Sequence, residues 1–140
     1  MGLSVWLCMK IDVYPIVTTR PTVGESMVKD SKNRRAPGYE FHVFICSHER
    51  PPDAVRPCCS ARDSLQVMKR LKMAAKEEGI PNVRIQKSGC LDFCENGISC
   101  VVYPEAIWYS IQNPDDDIPA ILEHLRTGIP ADSCRMKLEE

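Results

Sequence analysis

The sequence has no long hydrophobic run and no excess of charge of either sign. None of its apolar stretches approaches the roughly 18 residues that a membrane-spanning helix needs, so we expect no membrane segment. The 18 basic and 19 acidic residues leave a formal net charge of -1. Because no basic field is available to attract phosphates, we expect neither nucleic acid nor a membrane surface as a partner.

The first ten residues also lack the features of a secretory signal, because no positive charge precedes their apolar residues and no small-residue cleavage site follows them. We therefore expect a cytoplasmic protein, in which thiols stay reduced. Under that expectation the many cysteines indicate metal binding, whereas in an oxidising compartment they would indicate a disulfide framework. The eight cysteines are Cys8, Cys46, Cys58, Cys59, Cys90, Cys94, Cys100 and Cys134.

Composition divides the chain into three parts. Residues 1–39 are polar and rich in proline, glycine and threonine without sustained periodicity, which predicts a disordered N-terminal extension. Residues 40–130 carry the periodic patterns of one folded domain, and residues 131–140 are interpreted as a C-terminal tail. Since no candidate ligand except Cys8 lies upstream, we expect the extension to be dispensable, and translation to be able to start at Met27.

Hydrophobic periodicity predicts an α/β domain in the order strand, helix, strand, strand, strand, helix. The second helix is expected to be capped at Asp116 or Asp117, with Pro119 in its first turn and Gly128 as its end. The predicted strands are 41–46, a short one around Val83 and Ile85, 98–103 and 107–111, and the predicted helices span 63–78 and about 116–127.

Two cysteine groups flank the first helix and the second strand. Cys46 with Cys58 or Cys59 precedes them, and Cys90-x-x-x-Cys94 follows. Four thiolates from two loops suit either tetrahedral zinc or an iron-sulfur cluster. The long first gap disfavours zinc, and the chain has no Cys-x-x-Cys of the kind that thioredoxin-like redox enzymes use.

Three segments carry a resemblance to a known family: FHVFICSHERPPDAVRPCCSARDS, GCLDFCENG, and VVYPEAIWYS with the later HLRTGIP. With them, residues 41–130 resemble the thioredoxin-like 2Fe-2S ferredoxins, which are related to the small cluster-bearing subunit of bacterial NADH dehydrogenase. That family spaces its cysteines as Cys-x12-Cys and, after a long gap, Cys-x3-Cys. The matching positions are Cys46, Cys59, Cys90 and Cys94. The sequence departs from the family at Ile98, usually proline, at Ala106, commonly glycine, and at the additional Cys58.

The resemblance implies a thioredoxin-like mixed sheet flanked by helices, and a 2Fe-2S cluster on those four cysteines. It implies a one-electron carrier rather than an enzyme, with a reductase, dehydrogenase or hydrogenase as redox partner and a homodimer as the assembly. Two alternatives stay open at this point. One is a zinc-stabilised four-cysteine interaction module, and the other is a cluster-bearing subunit of a larger dehydrogenase or hydrogenase.

Local chemistry adds expectations about the ligand loops. Neighbouring side chains in an extended segment point to opposite sides, which favours Cys59 over Cys58 as the ligand. Gly89 and Gly97 are expected to let backbone N-H groups approach the sulfurs. The carboxylates of Asp92 and Glu95 would lower the reduction potential, since reduction adds negative charge, and the alternative interpretation is that both are plain solvated side chains. Phe93 and Trp108 are candidates for a docking surface or for the core, and Cys100 is expected to be a small buried hydrophobe.

Overall fold

The computed structural model describes residues 29–139, and the chain divides into two compact units between Arg34 and Arg35. Cys8, Met27 and most of the predicted N-terminal extension lie outside the described residues. In the first unit, residues 29–34 form a turn in which the Arg34 guanidinium pairs with the Asp30 carboxylate at 2.8 Å. The second unit contains every helix and strand that the structure describes.

Four strands form one mixed sheet in the order β2-β1-β3-β4. Strand β1 (Phe41–Cys46) pairs in parallel with β2 (Val83–Ser88). On its other side it pairs antiparallel with β3 (Ile98–Tyr103), which in turn pairs antiparallel with β4 (Ile107–Ile111). This mixed sheet with two helices confirms the predicted α/β architecture, and β2 is longer than predicted.

Helices α1 (Ser64–Glu77) and α2 (Pro114–Thr127) pack on one face of the sheet. Their buried side chains, Leu71 and Ile121 among them, share a single core with the alternate residues of β1, which are Phe41, Val43 and Ile45. Complete burial of Leu71 or Ile121 stabilises the fold by about 2 kcal/mol each. Because strand side chains alternate, His42 and Phe44 lie on the opposite face.

The N-terminus of α2 differs from the prediction. Asn113, in an extended conformation, is the N-cap residue, so the predicted caps Asp116 and Asp117 lie inside the helix. Pro114 takes the first helical position, where its fixed φ is favourable and its missing N-H does no harm. The Asp117 carboxylate instead reaches back to accept the Asn113 backbone N-H at 2.9 Å. Pro119 therefore lies inside the helix instead of in its first turn.

The two parallel strands end at the same edge of the sheet. Cys46 is the register partner of Ser88, and the Ser47 backbone N-H donates to the Ser88 carbonyl oxygen at 3.1 Å. The loops of residues 47–58 and 89–97 consequently leave the sheet side by side. This pairing is what brings the two cysteine groups of the sequence together.

The C-terminal segment lies along the outer edge of β4. Arg135 forms an antiparallel bridge with Tyr109, and the Met136 backbone N-H donates to the Trp108 carbonyl oxygen at 2.9 Å. Main-chain groups of that edge are therefore paired. Among residues 29–139, no helix combines the length and the apolar character needed to cross a membrane.

Candidate metal centre

Three cysteine side chains converge at the edge where β1 and β2 end. The Sγ atoms of Cys46, Cys59 and Cys94 all lie within 4.8 Å of one another, and each residue is at most 1% exposed. Cys46 is the last residue of β1, Cys59 immediately precedes a short 3-10 helix (Ser60–Arg62), and Cys94 lies in the loop before β3. A group of buried sulfurs offers ligands to a soft metal centre, either zinc or an iron-sulfur cluster.

The fourth candidate ligand, Cys90, is exposed and is not a member of this group of three. Its sulfur nevertheless accepts two hydrogen bonds: the Asp92 backbone N-H lies 3.3 Å from it, and Nη2 of Arg50 lies 3.4 Å from it. The structure thus brings together three of the four sequence-predicted residues and places two donors at the fourth.

The adjacent cysteines differ in burial, as expected, but for a different geometric reason. Cys59 is buried and has helical dihedral angles, φ -69 and ψ -29, so the assumption of an extended segment is wrong at this residue. Cys58 is half-buried, and backbone N-H groups of Arg50 and Ala61 lower the pKa of its thiol. Burial raises the pKa of Cys59 to about 12. A metal that binds Cys59 must therefore displace a proton.

Of the two loop glycines, only Gly97 is required by the backbone. Its φ is +149, and a Cβ there would lie 2.8 Å from the Ile111 carbonyl oxygen and 2.8 Å from Ser110 Oγ. Gly89 has open space around it and no left-handed φ. The close contacts at Gly97 are with β4 and not with a sulfur, and Gly89 has none, so the expectation that both glycines let backbone N-H groups approach the sulfurs stays a prediction.

Arginines link the two loops, and sequence reasoning missed them. Arg56 pairs with Asp92 at 2.7 Å and with Glu95 at 2.6 Å. The guanidinium lowers the pKa of both carboxyls, chiefly through its hydrogen bonds. Asp92 and Glu95 are therefore paired with a positive charge. The sequence expectation had treated them as unpaired negative charges beside the sulfurs.

Two further arginines hold main-chain oxygens at the site. Arg62 donates through Nη1 to the Cys94 carbonyl oxygen and through Nη2 to the Glu95 carbonyl oxygen, the latter at 3.3 Å. Arg50 donates through Nε to the Pro57 carbonyl oxygen at 3.1 Å. These contacts fasten the loop that carries Cys94 to the 3-10 helix, and stabilise the turn that leads to Cys58.

The aromatic pair near the site is a packed contact. The rings of Phe93 and Trp108 meet edge to face, with centroids 5.0 Å apart and planes at 67°. The Ser99 hydroxyl donates to the Phe93 carbonyl oxygen. Because both rings are half-buried, they join the ligand loop to the β3-β4 hairpin and keep one edge at the surface.

The remaining described cysteines lie apart from the thiol group. Cys100 is fully buried, which confirms its expected role as a small hydrophobic side chain, and Cys134 is 6% exposed. Burial raises the pKa of the Cys100 thiol, and it raises the pKa of Cys134 to about 11. Both are neutral thiols at pH 7 and are poor candidates for metal ligands.

Comparison with known proteins places these features among ferredoxins. No family model matches the chain. A protein named "Ferredoxin, 2Fe-2S" from Aquifex aeolicus (strain VF5) is 31% identical over 93 residues, which cover 65% of this chain and 84% of that protein. A protein of the same name from Clostridium pasteurianum is 25% identical over 90 residues, 64% of this chain and 88% of that protein.

Solved structures agree with these sequence relatives. The crystal structure of the wild-type thioredoxin-like 2Fe-2S ferredoxin from Aquifex aeolicus superposes with a TM-score of 0.64 and 27% identity. The match covers 71% of this chain and 99% of that chain. A second structure of a thioredoxin-like 2Fe-2S ferredoxin from the same organism gives a TM-score of 0.64 at 28% identity, covering 71% of this chain and 92% of that one.

Proposed function

The chain belongs to the thioredoxin-like 2Fe-2S ferredoxin family, and we propose that it is a one-electron carrier whose 2Fe-2S cluster is held by Cys46, Cys59, Cys90 and Cys94. The observation that carries this proposal is the buried group of three Sγ atoms within 4.8 Å of one another. Support for Cys90 comes from the two hydrogen-bond donors at its sulfur, because hydrogen bonds to the ligand sulfurs tune iron-sulfur centres.

The residues present fit such a centre in burial and in charge. When bound, a 2Fe-2S cluster supplies a one-electron couple whose net charge with four thiolates changes from about -2 to about -3. The buried thiols of Cys46, Cys59 and Cys94 exclude water from one side of the site. Arg50 and the Asp92 N-H donate to the more exposed Cys90 sulfur, and both would stabilise the negative charge that reduction adds.

Metal analysis and a visible spectrum of anaerobically purified protein test the proposal. We expect about two irons and two acid-labile sulfides per chain, as in this cluster class. The red-brown colour should bleach with dithionite and persist with ascorbate, because the electron enters an anionic centre. A colourless protein with stoichiometric zinc would instead establish the interaction module, since zinc is d10 and has no visible absorption.

We propose that the protein has no catalytic activity of its own and works in the cytoplasm. Four thiolates and two sulfides complete the coordination of both irons, so no open metal position is left for a substrate. Its partners are then redox proteins, such as a reductase, a dehydrogenase or a hydrogenase. The cytoplasm keeps thiols reduced, which a site of four cysteine ligands needs before metal arrives.

We also propose a homodimer that forms through the sheet face opposite the helices. On that face, the ring of His42 stacks on Phe44 with centroids 4.1 Å apart, and Phe44 meets Tyr103 edge to face at 6.2 Å. Partly exposed aromatic side chains are enriched at protein interfaces.

Light scattering tests this assembly. We expect a dimer for the wild-type chain and a monomer for Phe44→Glu. Met73→Glu, on the exposed face of α1, is the matched control and should stay dimeric. A monomeric wild-type protein would contradict the proposal.

We propose that residues 40–130 form the cluster domain and that the residues before Met27 are dispensable for it. All four proposed ligands lie between Cys46 and Cys94. A chain that starts at Met27 should keep the visible spectrum of the full protein. Loss of the spectrum on this truncation would show that the upstream residues take part in the site.

A further inference from the structure

Arg56 joins the two loops that carry the proposed ligands, which are residues 47–58 and residues 89–97. Its Nε donates to Glu95 Oε1 at 2.8 Å, its Nη1 donates to Asp92 Oδ1 at 2.7 Å, and its Nη2 donates to the Asp92 carbonyl oxygen at 3.0 Å. One planar guanidinium thus binds two carboxylates and one main-chain oxygen of the second loop. A lysine ammonium cannot reproduce this forked arrangement.

The residue that Arg56 holds has an uncommon backbone conformation. Asp92 has a φ of +71, in the left-handed region that few residues other than glycine, asparagine and aspartate adopt. In this conformation its backbone N-H points at the Cys90 sulfur, 3.3 Å away. Arg56 binds both the side chain and the carbonyl oxygen of Asp92, and so holds the N-H that serves Cys90.

Arg56 also offsets charge beside the sulfurs. Asp92 and Glu95 lie on either side of Cys94 and carry two negative charges. An uncompensated pair would oppose the uptake of an electron by an already anionic centre. Arg56 neutralises one of these charges directly, at 2.6 to 2.7 Å from the two carboxylates.

We propose that Arg56 is a positioning residue that raises the reduction potential of the centre, both by holding the Asp92 N-H on the Cys90 sulfur and by offsetting the charge of Asp92 and Glu95. The inference rests on the proposed function, because it requires a cluster on Cys90. A loop arginine that lies 3 residues before Cys59 in the sequence would thus control the reduction potential of the centre.

A spectroelectrochemical titration of the iron-loaded protein tests the inference. Arg56→Gln should have a more negative midpoint potential than the wild type. The matched control is Arg70→Gln, which also removes an exposed arginine-aspartate pair, Arg70 with Asp115 at 2.8 Å, but one that joins the two helices. It should leave the potential unchanged. Equal potentials for Arg56→Gln and Arg70→Gln would overturn the inference.

A second variant separates electrostatic control from simple loop damage. The double variant Asp92→Asn with Glu95→Gln should shift the potential in the positive direction, because it removes two negative charges beside the sulfurs. Combined with Arg56→Gln, it should reverse the negative shift. If Arg56→Gln loses its iron, the double variant decides: an unchanged or lowered potential overturns the inference. A wild-type protein without iron overturns the proposed function itself, whereas iron-loaded variants without these shifts overturn only the role of Arg56.

Discussion

The hydroxyl of Tyr109 lies 2.7 Å from Nδ1 of His124, and both side chains are fully buried. The Ala131 backbone N-H donates to the same hydroxyl oxygen at 3.0 Å, and Nε2 of His124 lies 3.2 Å from Glu105 Oε2. Because the Glu105 carboxylate only accepts, Nε2 of His124 is the donor there. In the neutral imidazole, Nδ1 then accepts the Tyr109 O-H, and the tyrosine oxygen accepts from the Ala131 N-H. This network joins β4, α2, the hairpin and the C-terminal segment.

We expect Tyr109→Phe to lower the free energy of unfolding by about 2 kcal/mol, because it leaves two buried groups, His124 Nδ1 and the Ala131 N-H, without partners. Chemical denaturation followed by far-UV circular dichroism measures the change. Met73→Leu is the control, since Met73 is 61% exposed on α1, and it should stay within about 0.5 kcal/mol of the wild type. Equal midpoints for both variants would show that the network does not contribute.

The connection between β3 and β4 carries strain that a single change should relieve. Ala106 has a φ of +58, where its Cβ is disfavoured. Ala106→Gly should therefore raise the free energy of unfolding by about 0.5 to 1 kcal/mol. The control Ala120→Gly, inside α2, should lower it by about 1 kcal/mol. A loss of stability in both variants would contradict the strained conformation of Ala106.

The two glycines of the ligand loop should respond differently to alanine. Gly97→Ala places a Cβ 2.8 Å from the Ile111 carbonyl oxygen, in a backbone conformation that alanine disfavours. We expect the free energy of unfolding to fall by about 2 kcal/mol or more, which is the upper end for ordinary substitutions. The loop must shift to accept this methyl group, so iron content should fall as well. Gly89→Ala meets no atom within 4 Å and should keep both iron and stability. Similar iron contents for the two variants would contradict the close approach at Gly97.

Sequence periodicity predicted the strands better than it predicted the start of α2. The bounds of β1, β3 and β4 are confirmed, because each strand alternates or runs apolar between clear breakers. The α2 cap was misplaced because three consecutive aspartates all suit a helix N-terminus. Only the fold shows that Asp117 reaches back to the Asn113 N-H while Pro114 starts the helix.

Residue types and their spacing were enough to predict the candidate ligands of the site. The cysteine pattern indicated Cys46, Cys58 or Cys59, Cys90 and Cys94, and the family resemblance selected Cys59. Of these residues, Cys46, Cys59 and Cys94 converge in the structure. The partners of Arg56 could not be predicted, because its contact with Asp92 spans 36 residues and depends on two loops that leave adjacent parallel strands. From the sequence alone, the effect of Asp92 on the reduction potential could be predicted only from the charge of Asp92 itself.

The adjacent cysteines provide the test of the proposed ligand set. Cys59 is buried with its Sγ within 4.8 Å of those of Cys46 and Cys94, whereas Cys58 is only half-buried and is not in that group. We expect Cys59→Ser to lose or strongly perturb the visible spectrum and Cys58→Ser to keep it nearly native. Serine replaces sulfur with a harder oxygen ligand at almost unchanged volume, so the spectrum reports the ligand directly.

The Cys58→Ser variant is the more decisive of the two. When Cys59 is absent, the neighbouring thiol is one residue away in a loop with three prolines, and a cluster held by Cys58 would disguise the loss. The double variant Cys58→Ser/Cys59→Ser lacks both thiols, so Cys58 cannot replace Cys59 as the ligand. If Cys58 does replace Cys59 in the single variant Cys59→Ser, only the double variant should be colourless. A colourless Cys58→Ser protein beside a red-brown Cys59→Ser protein with an unaltered spectrum would reverse the assignment, because the buried thiol of Cys59 would then be dispensable.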